Sequence, residues 1–418
     1  MDKCVNDISL PRQEAVEGIL RRCRFTPETE WIPAEEAYGR ILAEELVSRH
    51  NLPNTLASTR DGVAVYYGRF VRGMPDTRGW KKGVDYVFSN TGIGIEGDFD
   101  TVIPIEQVSF DEDYQSQFFQ CPTEKGQMTA PAGAELAEGE LLARAGQTLT
   151  PSLLSLLAKG GHTKIPVVRK PVVAFLPTGS ELVPPGQELP PRKNVDANST
   201  LIRGKLLEAG AEPRIFPISR DDHSVLYHAL KQAVKTADIV LINAGSSKGT
   251  NDFTHEILNG MGQILNQQVD TGPGKHTSYT MVGDVPVVGL SGPTVCTDYT
   301  FDWYVRPLID HFLGRPQTRF PKLLARAACD MSSARKWVTL MLGCRVILGD
   351  NDIPIVIPAV RLDDNKTIEN KVNCFVLLEP GLEIRAGEWV EVELRWPFAA
   401  PEREPDTLDI TQNAPFLF

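Results

Sequence analysis

The chain has 418 residues, 42% of them hydrophobic and 23% charged, with a formal net charge of −11. That length exceeds what one compact core can organise and implies roughly two to four domains of ordinary globular composition. The acidic balance argues against a general nucleic-acid or membrane-surface binder. No apolar run reaches membrane-spanning length, and the start Met1-Asp2-Lys3-Cys4 lacks an apolar signal core, so a cytoplasmic protein is expected.

Ser9 to Phe25 predicts a helix, with Ser9 able to cap, Pro11 in the first turn and Ala15, Ile19 and Leu20 at helical spacing. A second helix is expected over 34–46. From Leu52 to about Phe119 the chain is rich in Gly, aromatic and β-branched residues with repeated turn signals, which predicts a mostly β domain. Ser152 to Ala158 reads as a short helix stopped at Gly160-Gly161.

From Pro171 apolar strands alternate with amphipathic helices. The strands are Val172–Leu176, Ile215–Ile218, Ile239–Ile242 and Val285–Leu290; the helices cover 201–209, 226–235 and 253–259. This alternation predicts an α/β domain with a mostly parallel sheet. After Gly314-Arg315-Pro316 the pattern returns to β, with strands over 337–342, 355–360, 374–378 and 389–394; Pro358 would confine the second of these to an edge or a bulge.

Seven scattered cysteines, an odd number without a C-x-x-C pair, argue against a disulfide framework or a zinc ribbon. His223 and His228, five apart, miss the spacing of a helical metal pair.

Ligands of an open α/β sheet sit beyond the carboxyl ends of its strands. After Leu176 comes Pro177-Thr178-Gly179-Ser180-Glu181, and after Ile218 comes Ser219-Arg220-Asp221-Asp222. After Ile242 the chain enters Ala244-Gly245-Ser246-Ser247-Lys248-Gly249-Thr250-Asn251-Asp252, a Gly/Ser loop leading to a helix. Two further loops carry Lys275 and the pair Ser291-Gly292. Any one of these can be a simple turn, with Asp222 a helix cap and Lys275 a surface charge. Together on one sheet edge they favour a shared pocket. The amides and hydroxyls of Thr178, Gly179, Gly245, Ser247, Gly249, Ser291 and Gly292, with Lys248 and Lys275, suit a phosphate or oxyanion. The carboxylates of Glu181, Asp222 and Asp252 suit Mg²⁺. In the β-rich region Asp61 and Thr91 lie at Gly-containing turns.

The order of these motifs resembles the molybdopterin molybdenumtransferase family (MoeA and the gephyrin E domain) over essentially the whole length. Ser58 to Ala64 is similar to the family's S-A-M-D-G-Y-A, and Asn90-Thr91-Gly92 to its M-T-G. Asp100 to Glu106 is similar to D-A-V-V-x-x-E, Pro171 to Val183 to P-x-V-x-x-x-x-T-G-D-E-L-V, and Asp196-Ala197-Asn198 to D-S-N. Asp221-Asp222 matches D-D, and the Ala244–Asp252 loop resembles G-G-V-S-V-G-x-x-D.

The resemblance implies an elongated α+β domain from 1–48 and 132–170 that dimerises, an inserted β domain at 49–131, a central three-layer α/β molybdopterin-binding domain at 171–316 and a C-terminal β-barrel-like domain at 317–418. It implies a homodimeric transferase that inserts molybdate into adenylylated molybdopterin, releases AMP with Mg²⁺, and serves apo-molybdoenzymes. Asp61, Thr91 and Glu181 would be catalytic, with Asp61 positioning water or managing protons. A non-catalytic pterin- or nucleotide-binding relative, a dimeric scaffold and a tungstate-using insertase are the alternatives. Several motifs depart from the family. L-P-G-N-P reads Leu290-Ser291-Gly292-Pro293-Thr294, P-G-K-P reads Pro273-Gly274-Lys275-His276, and G-x-D reads Gly133-Ala134-Glu135. Lys248 is an added cation, and S-G-x-x-x-S is not evident near Asp363–Asn370.

Overall fold

A computed structural model describes residues 9–110, 116–118, 120–243, 253–333, 338–349, 352–361, 371–395 and 401–403. The chain divides into two compact units, Thr29–Val168 and the segments flanking it. Helix α1 (Arg12–Leu20) belongs to the flanking unit. Ser9 does not cap it: Ser9–Leu10 is a short strand paired in parallel with Gln268–Val269, and Pro11 precedes the helix.

Within Thr29–Val168, strand Thr29–Pro33 pairs antiparallel with Lys164–Val168, and Leu46–Val47 with Leu141–Ala143. Helix α2 (Pro151–Lys159) starts at Thr150, whose hydroxyl accepts from the Leu153 N–H at 3.2 Å. These elements bury Leu42, Leu149, Leu157, Ile165 and Val167. The helix expected over 34–46 is absent. A 3₁₀ turn at Ala34–Glu36 gives way at Gly39, where φ is +74°. The N–H groups of Gly39, Leu42 and Ala43 then donate to the carbonyls of Leu149, Gln147 and Pro166 instead of to a helix. Tertiary partners outweigh local helix propensity here.

A second core in the same unit surrounds a three-stranded antiparallel sheet with Gly62–Val65 between Tyr86–Ser89 and Thr101–Pro104. Val63, Val65, Tyr86 and Ile103 pack on one face, and Ala64, Val87 and Val102 on the other. Strand alternation thus buries both faces.

The flanking unit contains a six-stranded sheet. Its elements are β1 (Val172–Leu176), α3 (Asn198–Glu208), β2 (Glu212–Ile215), α4 (His223–Thr236), β3 (Ile239–Asn243), α5 (Phe253–Met261), β4 (Gln263–Asn266), β5 (Ser278–Val282), β6 (Val285–Leu290), α6 (Thr294–Tyr304) and α7 (Arg306–Phe312). The strand order is β2-β1-β3-β6-β5-β4. The first four are parallel, while β5 runs antiparallel to both β6 and β4. Ala174, Leu176, Val240, Ile242 and Val287 pack against α4 and α5. Val173, Phe175, Ile239 and Leu241, which alternate with them, are also fully buried, on the face that α3 covers. The sheet is therefore the middle of three layers, as the near-continuous apolar strands predict.

Helices α3 and α6 are joined by buried charges. The Lys205 ammonium lies 2.8 Å from Asp302 Oδ2 and 3.4 Å from Asp298 Oδ1. Arg306 holds Asp302 and Glu208, and Arg395 binds Asp298 from the C-terminal region.

In that region five strands close into a barrel. Thr339–Leu348 pairs with Pro354–Pro358 and with Cys374–Leu378. Lys322–Ala327 pairs with Pro354–Pro358 and Trp389–Leu394, and Trp389–Leu394 closes onto Cys374–Leu378. Pro358 does not force its strand to an edge. It is the last residue, where only Cys344 is its partner, and the second neighbour pairs only at Ile355 and Val356. Among the described residues no cysteine forms a disulfide, and burial pushes the Cys344 and Cys374 thiols far up, which leaves them inert packing groups.

Candidate functional site

The chain leaves β1 to build β2 on one side and returns to build β3 on the other. A crevice opens beyond the carboxyl ends of strands at such a switch point. A cleft of about 520 Å³ lies there. Thr178 and Glu181 line it after β1, Asn243 ends β3, and Gly292 and Thr294 follow β6. Residues Asn194 to Asn198 form another wall.

Several bonds fix this crevice. The Thr178 hydroxyl donates to the Asn243 carbonyl, tying the end of β1 to that of β3. The Ser180 N–H donates to Asp221 Oδ2 at 2.9 Å, and the Asp221 N–H donates back to Ser180 Oγ at 3.0 Å. Gly179 has φ of +140°, and a Cβ there would fall 2.6 Å from both carboxylate oxygens of Glu181. Glycine therefore permits the turn and lets the Glu181 carboxylate fold over it.

Helices α3 and α6 both begin at the cleft, with Asn198 and Thr294 in its wall. Neither preceding residue, Ala197 or Pro293, caps with a side chain. Helix starts offer N–H groups and partial positive charge to an anion. Asp196 accepts from the Ser199 N–H at 3.0 Å and so shapes the entry to α3.

The expected site residues fall into groups. Thr178, Glu181 and Gly292 line the cleft, Gly179 underlies Glu181, and Ser291 is buried beside Gly292. Asp222 is not in the cleft wall. Its Oδ1 accepts from the Val225 N–H at 2.9 Å, which is the N-cap of α4. Lys275 also lies outside the wall, in the segment after Thr271–Gly272, which pairs with the barrel strand at Thr339. Gly245, Ser247, Lys248, Gly249 and Asp252 lie outside the described residues.

Asp61 and Thr91 are brought together in the other unit. The Thr91 N–H donates to Asp61 Oδ1 at 2.7 Å and its hydroxyl to the same oxygen at 3.0 Å. These two bonds, the backbone one first, hold the exposed Asp61 carboxyl below the usual carboxylate range. Gly62 seats the pair: a Cβ there would lie 2.2 Å from the Ile103 carbonyl oxygen of the adjoining strand.

Sequence reasoning missed Asn194, Asn198 and Asn243 as parts of the site. Asp196-Ala197-Asn198 was recognised as a motif without a role; its signal was a polar cluster at the start of a helix. Among the described residues no group of three acidic, His or Cys side chains is poised to hold a metal. Magnesium bound with a phosphate substrate needs only one or two carboxylates. Glu181 meets that donor requirement at the cleft wall. Among the described residues no helix is long and apolar enough to cross a membrane.

Residues 10–161 match the family model described as the MoeA N-terminal region (domain I and II), and residues 174–311 match that of a probable molybdopterin binding domain. A molybdopterin molybdenumtransferase of Bacillus subtilis is 26% identical over 419 residues, covering 93% of this chain and 96% of its own length. One from Haemophilus influenzae is 28% identical over 398 residues, covering 92% and 98%. The crystal structure of a molybdopterin biosynthesis moeA protein from Pyrococcus horikosii matches with a TM-score of 0.74 at 27% identity, covering 92% of this chain and 99% of that one.

Proposed function

This chain belongs to the molybdopterin molybdenumtransferase (MoeA) family, and from that premise we infer that it inserts molybdate into adenylylated molybdopterin and releases AMP. The observation that carries the reading is the cleft at the sheet's switch point, with two helix starts and the Glu181 carboxylate in its walls. It supports a pterin-nucleotide ligand with its phosphates toward the starts of α3 and α6. Its volume suits a small-molecule ligand of that size.

Glu181, together with substrate phosphate oxygens, would hold Mg²⁺, which neutralises charge as the phosphoanhydride breaks. Thr178 and the Ser180–Asp221 pair keep the Glu181 turn in place. Asp61, ionised and oriented by Thr91, positions water or takes up protons as molybdate loses oxide. The loop 244–252 supplies further phosphate contacts through Gly245, Ser247, Lys248 and Gly249, and Asp252 is a further carboxylate for Mg²⁺. The working form is a cytoplasmic homodimer, with domains at 1–48 plus 132–170, 49–131, 171–316 and 317–418, that hands its product to apo-molybdoenzymes.

The test incubates purified protein with adenylylated molybdopterin, Mg²⁺ and molybdate and follows AMP. Release dependent on both metal species is expected. Binding without release would leave a non-catalytic pterin-binding protein. Substituting tungstate for molybdate in the same assay assigns the metal.

A further inference from the structure

The cleft wall contains a buried acceptor that nothing in the protein satisfies among the described residues. Asn198 is 5% exposed and lines the cleft. Its Nδ2 donates to the Gly292 carbonyl at 2.8 Å and approaches Asn243 Oδ1 at 3.4 Å. The Gly292 carbonyl can only accept, so the nearer bond sets Nδ2 toward it and Oδ1 away. Its Oδ1 is buried without a hydrogen-bond partner. Buried acceptors are nearly always paired, and an unpaired one beside an open cleft marks a place for a ligand donor.

We propose that the Asn198 side-chain carbonyl, in the wall of the sheet-edge cleft, accepts a hydrogen bond from an amino N–H of the ligand's heterocycle and so determines specificity. This rests on the reading of the cleft as a pterin-nucleotide site. The required chemistry is an exocyclic amine on a planar ring. The adenine end and the pterin end of the ligand both carry one. A keto group at that position would face Oδ1 with a second acceptor and be rejected.

Calorimetric titration separates the two sources. One pair of probes is AMP and purine riboside 5′-monophosphate, which lacks the 6-amino group. The other is pterin and its 2-desamino counterpart. Wild type is expected to bind the amino-bearing member of one pair about tenfold more tightly, as one hydrogen bond to a buried group implies. The pair that shows the difference names the ring that Asn198 contacts. Asn198→Ala is expected to bind both members of that pair alike, with its melting curve checking the fold. Asn198→Ser takes its place if the alanine variant does not fold. Equal binding within both pairs by wild type overturns the proposal. So does a preference that survives in the variant, or a variant that weakens both members equally. If wild type binds none of the four probes, the pterin-nucleotide reading itself falls, and the proposal with it.

Discussion

Replacing Lys205 with Met removes the ammonium from a buried network while keeping most of the side-chain volume. Lys205 is 8% exposed, and its two carboxylate partners, Asp298 and Asp302, are 5% and 4% exposed. Removing one member of a buried ion pair destabilises by about 3–5 kcal/mol, because a charge stays buried without its counter-charge. The lower end applies here. Asp302 keeps Arg306, with Nε at 2.8 Å, and Asp298 keeps Arg395. A loss of about 3 kcal/mol is therefore expected, which corresponds to a fall in Tm of roughly 5 °C for a unit of this size. Urea unfolding followed by tryptophan fluorescence measures it, with calorimetry resolving the two units where they melt separately. The variant would also loosen α3 against α6, the helices whose first residues line the cleft. A change below about 1 kcal/mol would refute the reasoning, since it would mean that desolvation of the lysine had cancelled its attraction to both carboxylates.

Asp61 is expected to titrate below an ordinary carboxylate when its carboxyl carbon is followed by NMR against pH. Because its folded pKa is depressed, the stabilisation from its bonds to Thr91 is present above the unfolded pKa and disappears as pH falls through the folded value. Thr91→Val should raise the pKa only part of the way, since the larger cause, the backbone N–H, survives; a titration at or above the ordinary value in wild type would contradict the geometry. Gly274→Ala should destabilise by about 2–4 kcal/mol, as φ is +97° and the new Cβ would lie 2.1 Å from Thr300 Cγ2. Adding Thr300→Ser, which deletes that methyl, should recover part of the loss in the same denaturation assay, and no recovery would show that backbone strain alone is responsible. Glu181→Gln should lower AMP release by about 100-fold or more with adenylate binding retained, and unchanged release would remove Glu181 from the chemistry.

The α/β layer was legible because its signals are local and strong. Val172–Leu176 and Ile239–Asn243 are continuous apolar runs that only a doubly covered strand accommodates, and Gly210, at φ +82°, stops α3 where the sequence places the stop. The 34–46 segment was misread because its helix-forming residues carry no trace of distant acceptors such as the carbonyls of Leu149 and Gln147. The C-terminal barrel was expected from the family resemblance alone, since no local signal announces the pairing of Thr339–Leu348 with Cys374–Leu378. At the site, Thr178 and Glu181 could be found by following each strand to its carboxyl end. Asn198 could not, because it reaches the cleft from the start of a helix after a long excursion from β1. Asp222 shows the converse limit: an acid following a strand fits a metal ligand and a helix cap equally well in sequence, and here its Oδ1 is spent on the cap.

The loop after β6 shows how a motif can diverge while its geometry stays constrained. A proline restrains a turn through its ring, and the loop Leu290–Thr294 keeps only one, at Pro293. That residue, at φ −59°, directly precedes α6, and its ring disfavours a helical conformation at Gly292, so the helix starts just after it. Hydrogen bonds restrain the remainder. The Ser291 carbonyl accepts from the Thr297 hydroxyl at 2.6 Å, and the Gly292 carbonyl accepts from Asn198 at 2.8 Å. The first bond ties the loop to its own helix and the second ties it to α3. The same asparagine that anchors Gly292 thereby has its carbonyl left over for a ligand. In this chain, holding the loop and presenting an acceptor to the cleft fall to opposite ends of one amide, so a substitution at Asn198 acts on both the shape of the wall and what the wall can recognise.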